Sequence, residues 1–386
     1  MSHRFEVLDS LRGLCACAVV LFHFHTMGVL SNLDIVRHSW LFVDFFFVLS
    51  GFVIANAYLG RLQAGYSGWR FLGLRMGRIY PLHLFILLVM LVVELVLLLC
   101  GSGGLSTRVP FTHGRSPFEF VGSLLLLNTF GLTDVLQWNG PAWSIAAEMW
   151  AYVLFAVVVC FGGRRALPLF ALIAIASLTG LWLWSDRALD ATYDLGWLRC
   201  FYGFSLGVLL YSALGAVRWR PATAGAATLA EVAVVAACIA FVTLIGTGPA
   251  TFAAPLLFAL TIFVFAGEGG AISRVLNRPL PRLLGTLSYS IYMIHVFVQA
   301  RLIDGLQLIG GDRFVRPNPA LGGADWIVLP APWSDAVTVA MVVIVVGCSW
   351  LTYHWVEQPA RAWSRRLLAD GRKAKVSRAE SEAPTF

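Results

Sequence analysis

The sequence predicts an all-α protein, a polytopic membrane helix bundle of about ten transmembrane helices with both termini in the cytoplasm. Hydrophobic residues make up 59% of the 386 residues, only 13% are charged, and the mean hydropathy is +0.77. A soluble domain of this length would not tolerate so much apolar surface. The net charge of +7 is spread between apolar segments, so it reflects membrane topology and does not indicate a nucleic-acid partner.

Ten apolar runs are long enough to cross a bilayer. They cover residues 8–29, 40–58, 79–99, 141–161, 166–184, 195–214, 229–245, 252–266, 283–303 and 336–356. A further segment, 118–136, is ambiguous because polar residues such as Asn128 and Asp134 interrupt it. We predict that this segment is interfacial or re-entrant and does not span.

The basic residues predict the orientation of the bundle. With 118–136 not counted as a span, 19 Lys and Arg residues fall on one side of the membrane and 6 on the other. Because cytoplasmic loops are enriched in Lys and Arg, both termini are predicted to be cytoplasmic and the longest outer loop to cover 304–335. We predict a transmembrane domain at 1–360 and a basic, disordered cytoplasmic tail at 361–386.

Two ionisable residues, Arg12 and His23, lie inside the first apolar run. In a helix, eleven residues turn through about three turns plus 20° and rise about 16 Å, so both side chains point from one face at different depths. Ionisable groups in hydrocarbon usually face a bundle interior or a wet cavity, which makes the pair a functional-site candidate. The alternative is a snorkelling arginine and a hydrogen-bonded core histidine.

Arg75 and Arg78 stand three residues apart where the third run begins. On a helix they share a face at the cytoplasmic membrane surface, where two guanidinium groups suit a phosphate-bearing ligand. Topology alone also places basic residues there, so both interpretations stay open.

Carboxylates occur in the second and fourth runs. Asp44 is surrounded by aromatic residues and needs a partner, for which Arg12 is one available cation; a structural ion pair is the main alternative to a functional role. Ser144, Glu148 and Tyr152 share one helix face. Glu148 lies at a depth similar to that of His23, so it could orient the imidazole of a general base, or it could belong to a structural network.

Polar residues also mark the ninth and tenth runs. Ser288, Tyr292 and His295 share a face, where they could line a polar cavity or hydrogen-bond neighbouring helices. Glu357 is predicted to form a salt bridge with the basic cytoplasmic surface. The cysteines show no metal-ligand spacing and are interpreted as small hydrophobic residues, so no metal site is predicted.

These residues lie in sequence motifs that resemble those of the acyltransferase-3 membrane proteins, bacterial members of which acylate surface polysaccharides. The resemblance covers nearly the whole chain, through LDSLRG, VDFFFVLSGFVI, RMGRIYP, WSIAAEMWAY, SYSIYMIH and VEQP. Two positions depart from the family pattern: Gln358 stands where a basic residue is usual, and His295 is followed by Val-Phe where a proline commonly comes two residues later.

The resemblance implies an O-acyltransferase in the bacterial cytoplasmic (inner) membrane, with acyl-CoA as donor, acetyl-CoA being expected, and a carbohydrate acceptor. It implies that Arg75 and Arg78 hold the donor's phosphates and that His23 is the general base. Glu148 would orient His23, and Arg12 would position the donor. Further candidates for a polar cavity are Asp44, Ser144, Tyr152, Tyr292 and His295.

Two other functions are compatible with the same residues. In a transporter, Arg12, His23, Asp44 and Glu148 would form a proton or substrate relay without covalent chemistry, although no internal repeat is evident. In a non-enzymatic assembly subunit, substitution of Arg75 and Arg78 would leave glycan acylation intact.

Overall fold

The protein is described by a computed structural model that covers residues 5–100, 109–112, 114–216, 223–318 and 324–368. In these ranges it contains fourteen α-helices and one two-stranded sheet. The helices are α1 (Glu6–Phe22), α2 (Val29–Asn32), α3 (Asp34–Arg37), α4 (Phe42–Gln63), α5 (Gly68–Cys100), α6 (Pro117–Leu124), α7 (Ala142–Gly162), α8 (Ala166–Trp184), α9 (Gly196–Ala216), α10 (Ala224–Leu244), α11 (Ala254–Phe265), α12 (Ala271–Leu276), α13 (Pro279–Gly310) and α14 (Ala331–Thr352).

The ten longer helices coincide with the ten predicted apolar runs, and the chain is an all-α polytopic membrane bundle. Within the described ranges, seven helical segments are long and apolar enough to cross a membrane. One of these segments contains both α7 and α8, which are separated at Gly163, where φ is +53°. A positive φ suits glycine and ends the first helix.

Three helix boundaries differ from the predicted runs by seven residues or more. α1 ends at Phe22 and not near residue 29, because the backbone that follows it bonds to a β-strand: the Met27 amide donates to the Ile327 carbonyl. α5 begins at Gly68, eleven residues before the predicted start, and α13 extends to Gly310. Hydropathy finds the apolar part of a helix and misses polar turns that face other protein segments.

The ambiguous segment does not form a spanning helix. α6 begins with a capping box, in which the Ser116 hydroxyl accepts from the Glu119 amide and the Glu119 carboxylate accepts from the Ser116 amide. Its eight residues rise about 12 Å, much less than the roughly 30 Å of a hydrocarbon core. Irregular backbone follows up to α7, which agrees with an interfacial or re-entrant segment.

The predicted outer loop contains a β-hairpin. Strand β1 (Val315–Asn318) pairs antiparallel with β2 (Ala324–Ile327), and β2 also bonds to the backbone at His25 and Met27. At the other end of the bundle, helical structure continues from α14 to Leu368, past the predicted start of the tail. Residues 369–386 lie outside the described part of the chain.

Glycines allow two pairs of helices to pack closely. α1 packs against α13, and a Cβ at Gly13 would overlap the backbone of Leu284 and Gly285. α4 packs against α9, where a Cβ at Gly51 would overlap the Phe204 carbonyl. Gly51 lies in the middle of the second predicted run, where a small residue permits such a close approach of two helices.

The two ends of the bundle are named here by the segments that they carry. We call the end with Phe5 and Leu368 the terminal face; there Gly73 of α5 contacts Leu368, and Phe5 lies in the same groove as Arg365. The end that carries the hairpin is called the opposite face.

Candidate functional site

A cavity of about 100 Å³ lies between α1, α4, α5, α7 and α13. We call it the arginine cavity. Its polar lining consists of Arg12, Ser50, Arg75, Arg78, Ser144, Glu148, Tyr152, Ser288, Tyr289 and Tyr292. Seven of the ten predicted site residues therefore line one space. The other three, His23, Asp44 and His295, lie outside it.

Arg12 is held at the cavity wall by three groups. Its Nε donates to the Ser288 hydroxyl at 2.7 Å, and its Nη2 donates to the Gly285 carbonyl at 3.1 Å. The same nitrogen lies 3.2 Å from the Asp9 carboxylate. The suggested pairing with Asp44 is therefore wrong, because Arg12 finds its counter-ion three residues away on its own helix.

Arg75 and Arg78 point into the cavity from α5, so the shared face expected from their spacing is present. Arg75 donates to the Tyr58 hydroxyl at 3.3 Å, while its buried Nε has no hydrogen-bond partner in the described ranges. Within those ranges Arg78 donates no hydrogen bond, although it lies within electrostatic range of Glu148 and Glu357. Both guanidinium groups line the cavity and have donors that no described protein group occupies.

Glu148 is tied to hydroxyl groups. Its Oε1 accepts hydrogen bonds from Ser50 and Tyr152, both at 2.5 Å, and these two hydroxyls are 3.0 Å apart. The carboxylate therefore faces the arginine cavity and does not contact His23. The expected Glu148–His23 pair is not formed, because α7 turns this face toward α4 and α5.

A larger groove leads from the terminal face to the arginine cavity. It measures about 450 Å³ and shares Arg12, Arg78 and Tyr289 with that cavity. Its rim carries Arg361 and Arg365. The Glu357 carboxylate accepts from Ser290 at 2.9 Å and lies 3.3 Å from Arg361, which confirms its predicted salt bridge.

His23 lies at the C-cap of α1 and forms a dyad with His295 of α13. His295 Nδ1 is 2.7 Å from the Tyr292 carbonyl, so this nitrogen carries the proton and Nε2 accepts. His23 Nδ1 lies 2.9 Å from the Val19 carbonyl and 3.2 Å from His295 Nε2, both acceptors. The hydrogen-bond network therefore assigns the His23 proton to Nδ1 and leaves Nε2 as a base.

Tyr292 stands between the arginine cavity and the dyad. Its hydroxyl bonds to Ser144 at 2.7 Å, and its ring lies edge-on to Phe46 with centroids 5.8 Å apart. Its ring also lies 5.8 Å from that of His295. Tyr292 therefore joins the arginine cavity to His295, the partner of His23 in the dyad.

Asp44 pairs with Arg199 of α9. Both side chains are almost fully buried, at 0% and 1% exposure, and the carboxylate accepts three hydrogen bonds of 2.7, 3.0 and 3.2 Å. Arg199 also donates to the carbonyls of Trp40 and Ala191. This is the structural ion pair that was the alternative interpretation of Asp44, with a different cation.

Sequence reasoning missed several residues of the site. Arg199 lies in the predicted run 195–214, and the argument that selected Arg12 applies equally to it, yet it was not selected. Ser50, Tyr289 and Arg361 were also given no place in the site. A hydroxyl in an apolar span gives too weak a signal to be selected from one sequence.

Comparison with known proteins decides the family. The profile of the family described as "Acyltransferase domain", the acyltransferase-3 family, matches residues 5–354. The chain belongs to this family. The acyltransferase MdmB of Streptomyces mycarofaciens is 26% identical over 98% of this chain and 96% of its own. "Protein 2 in picA locus" of Rhizobium radiobacter is 33% identical over 45% of this chain and 91% of its own. No solved structure matches.

Proposed function

We propose that this member of the acyltransferase-3 family is an O-acyltransferase that moves an acyl group, most simply acetyl, from cytoplasmic acyl-CoA to a hydroxyl of a carbohydrate. The observation that carries the proposal is the arginine cavity, which opens toward the terminal face and ends near a histidine dyad. Family membership supports acyl transfer. The three arginines of the cavity support an anionic donor such as acyl-CoA, and the bacterial relatives support a location in the cytoplasmic (inner) membrane.

The donor enters from the terminal face, which the distribution of basic residues makes cytoplasmic. Acyl-CoA carries phosphates, and guanidinium groups bind phosphate through charge-assisted hydrogen bonds. Arg78 supplies unused donors at the junction of groove and cavity, and Arg361 and Arg365 add positive charge at the rim. The thioester arm then extends past Arg12 into the arginine cavity.

His23 acts as the general base through Nε2. It takes the proton of the acceptor hydroxyl while the oxygen bonds to the thioester carbonyl carbon. The carbon–sulfur bond then breaks, the CoA thiolate leaves, and it receives the proton from His23. Transient attachment of the acyl group to His23 Nε2 is the alternative route.

His295 has the orienting role that the sequence had suggested for Glu148. Its Nε2 accepts a hydrogen bond from His23 Nδ1, which holds the imidazole in the required tautomer and stabilises its charged form. Glu148 instead holds Ser50 and Tyr152 and offsets part of the positive charge of the cavity.

The test compares purified wild-type protein with His23→Ala in an acyl-CoA consumption assay, with the acylated glycan measured by mass spectrometry. We expect transfer to be abolished while the variant inserts and folds normally. His354→Ala, a substitution of a partly exposed histidine in the turn after α14, is the matched control and should retain activity. Transfer by correctly folded His23→Ala would overturn the assignment.

A further inference from the structure

A second pocket, outside the arginine cavity, lies at the opposite face. It measures about 430 Å³ and is formed by the segment before α4, the loop after α8 and the loop before α11. Its lining includes Trp40, Trp182 and Phe252 together with Asp186, Arg187 and Asp190. We call it the tryptophan pocket.

Two tryptophans and charged side chains face the same space. Trp182 is 62% exposed, and its ring lies 5.7 Å from that of Phe252. Trp40 is half-buried, with its ring against the Arg199 guanidinium. Membrane proteins also place single tryptophans at the lipid interface, as the equally exposed Trp184 illustrates. A role at the lipid interface alone does not explain why two tryptophans and a carboxylate line one cavity.

The charged groups of the pocket leave one carboxylate available. Arg187 lies 3.2 Å from Asp194 and 4.0 Å from Asp190, so its charge is already compensated. Burial alone would raise the pKa of Asp194, but hydrogen bonds from backbone amides hold it below its usual range. In the described part of the chain, Asp186 is exposed and forms no hydrogen bond or ion pair.

Hydrogen bonds fix the loops around the pocket. Within the loop after α8, the Ser185 hydroxyl donates to the Ala188 carbonyl at 2.7 Å, and within the loop before α11, the Thr251 hydroxyl donates to the Gly248 carbonyl. The Leu189 amide donates to the Thr251 hydroxyl at 3.4 Å and links the two loops.

A short series of contacts joins the pocket to the arginine cavity. The Arg199 guanidinium lies 4.9 Å from the Trp40 ring and 5.4 Å from the Trp143 ring. Trp143 packs edge-on against Phe47, which lines the arginine cavity. Four side chains in contact, from Trp40 to Phe47, therefore lie between the tryptophan pocket and the space proposed for the donor.

We propose that the tryptophan pocket binds a neutral sugar residue of the acceptor, an inference that rests on the proposed function. The apolar C–H face of a pyranose stacks on an aromatic ring, and its hydroxyls donate to a free carboxylate. Trp182 supplies the ring and Asp186 the acceptor. The uncompensated negative charge of Asp186 disfavours a uronic acid.

The test measures binding directly, without requiring catalysis. Purified protein in phosphatidylcholine nanodiscs is studied by saturation-transfer NMR with the methyl β-glycosides of glucose, galactose, mannose and N-acetylglucosamine, and with methyl glucuronide. We expect wild type and the control W184A to bind at least one neutral glycoside more strongly than the glucuronide. W182A and D186A should each weaken that binding at least tenfold.

Several outcomes would overturn the inference. One is that the wild type binds no neutral glycoside, and another is that W182A binds the glycoside as strongly as the wild type does. A third is that W182A releases a retained phospholipid in native mass spectrometry while no glycoside binds. Binding of acyl-CoA, measured on the same samples, separates this inference from the proposed function. Glycoside binding without acyl-CoA binding would contradict only the proposed function, and the reverse result only the pocket.

Discussion

Substitution of His295 by Ala tests the dyad while leaving His23 in place. The substitution removes the acceptor 3.2 Å from His23 Nδ1 and leaves the Val19 carbonyl, at 2.9 Å, as the remaining partner. A hydrogen bond to a charged group contributes about 1.5–3 kcal/mol, and His23 is charged after it takes the acceptor's proton. At about 1.4 kcal/mol per tenfold change, we expect kcat to fall roughly 10- to 100-fold.

The assay measures kcat and the KM for acyl-CoA in steady-state transfer. The KM for acyl-CoA should change little, because His295 does not line the arginine cavity. His295→Gln should recover part of kcat, since a side-chain amide oxygen can accept from His23 Nδ1. This partial rescue distinguishes a positioning residue from a residue that only fills space.

The matched control is Gln299→Leu. Gln299 lies one turn further along α13 and donates to the Val20 carbonyl of α1 at 2.7 Å, so it joins the same two helices without contacting His23. We expect lower stability and a nearly unchanged kcat. Full activity in His295→Ala, or equal losses in His295→Ala and His295→Gln, would refute the positioning role.

Three further predictions concern the donor site and the bundle. Arg78→Gln should raise the KM for acyl-CoA roughly 10- to 100-fold through lost charge-assisted bonds. Arg70→Gln, near the start of α5 and outside the arginine cavity, should leave this KM unchanged in the same assay. Asp44→Asn should cost about 3–5 kcal/mol of unfolding free energy in detergent denaturation, because it leaves a buried guanidinium without its counter-ion. Gly13→Val should lower stability by about 1–3 kcal/mol or more, whereas Gly60→Ala, with open space around its Cβ, should not.

The membrane helices could be predicted because hydrocarbon imposes a strong requirement on each run of about 20 residues. The ends of these helices could not be predicted, because a polar helical turn that packs against protein has the same composition as a turn exposed to water. α5 shows this: Arg75 and Arg78 appeared to mark its beginning, yet they lie in its interior and face a cavity. The β-hairpin was missed because its short strands occur in a region rich in Pro and Gly.

The sequence predicted most residues of the site, but it did not predict which of them hydrogen-bond to each other. Helical periodicity shows which side chains share a face of one helix, but not which helix that face meets. Asp44 bonds to a residue 155 positions away, and His23 to one 272 positions away. For Asp44, sequence reasoning chose the cation in the neighbouring run, and for His23 it chose a carboxylate at similar depth. Both pairings depend on which helices are neighbours in the bundle, and a single sequence does not give this information.

The distribution of charge along the bundle gives the proposed reaction a direction. The arginine cavity combines three guanidinium groups with one carboxylate, an excess of positive charge that favours an anionic donor. The tryptophan pocket at the opposite face presents the carboxylate of Asp186, which repels such a donor. Tyr292 lines the arginine cavity and its ring contacts that of His295, so in the proposed reaction this one side chain lies between the donor and the dyad.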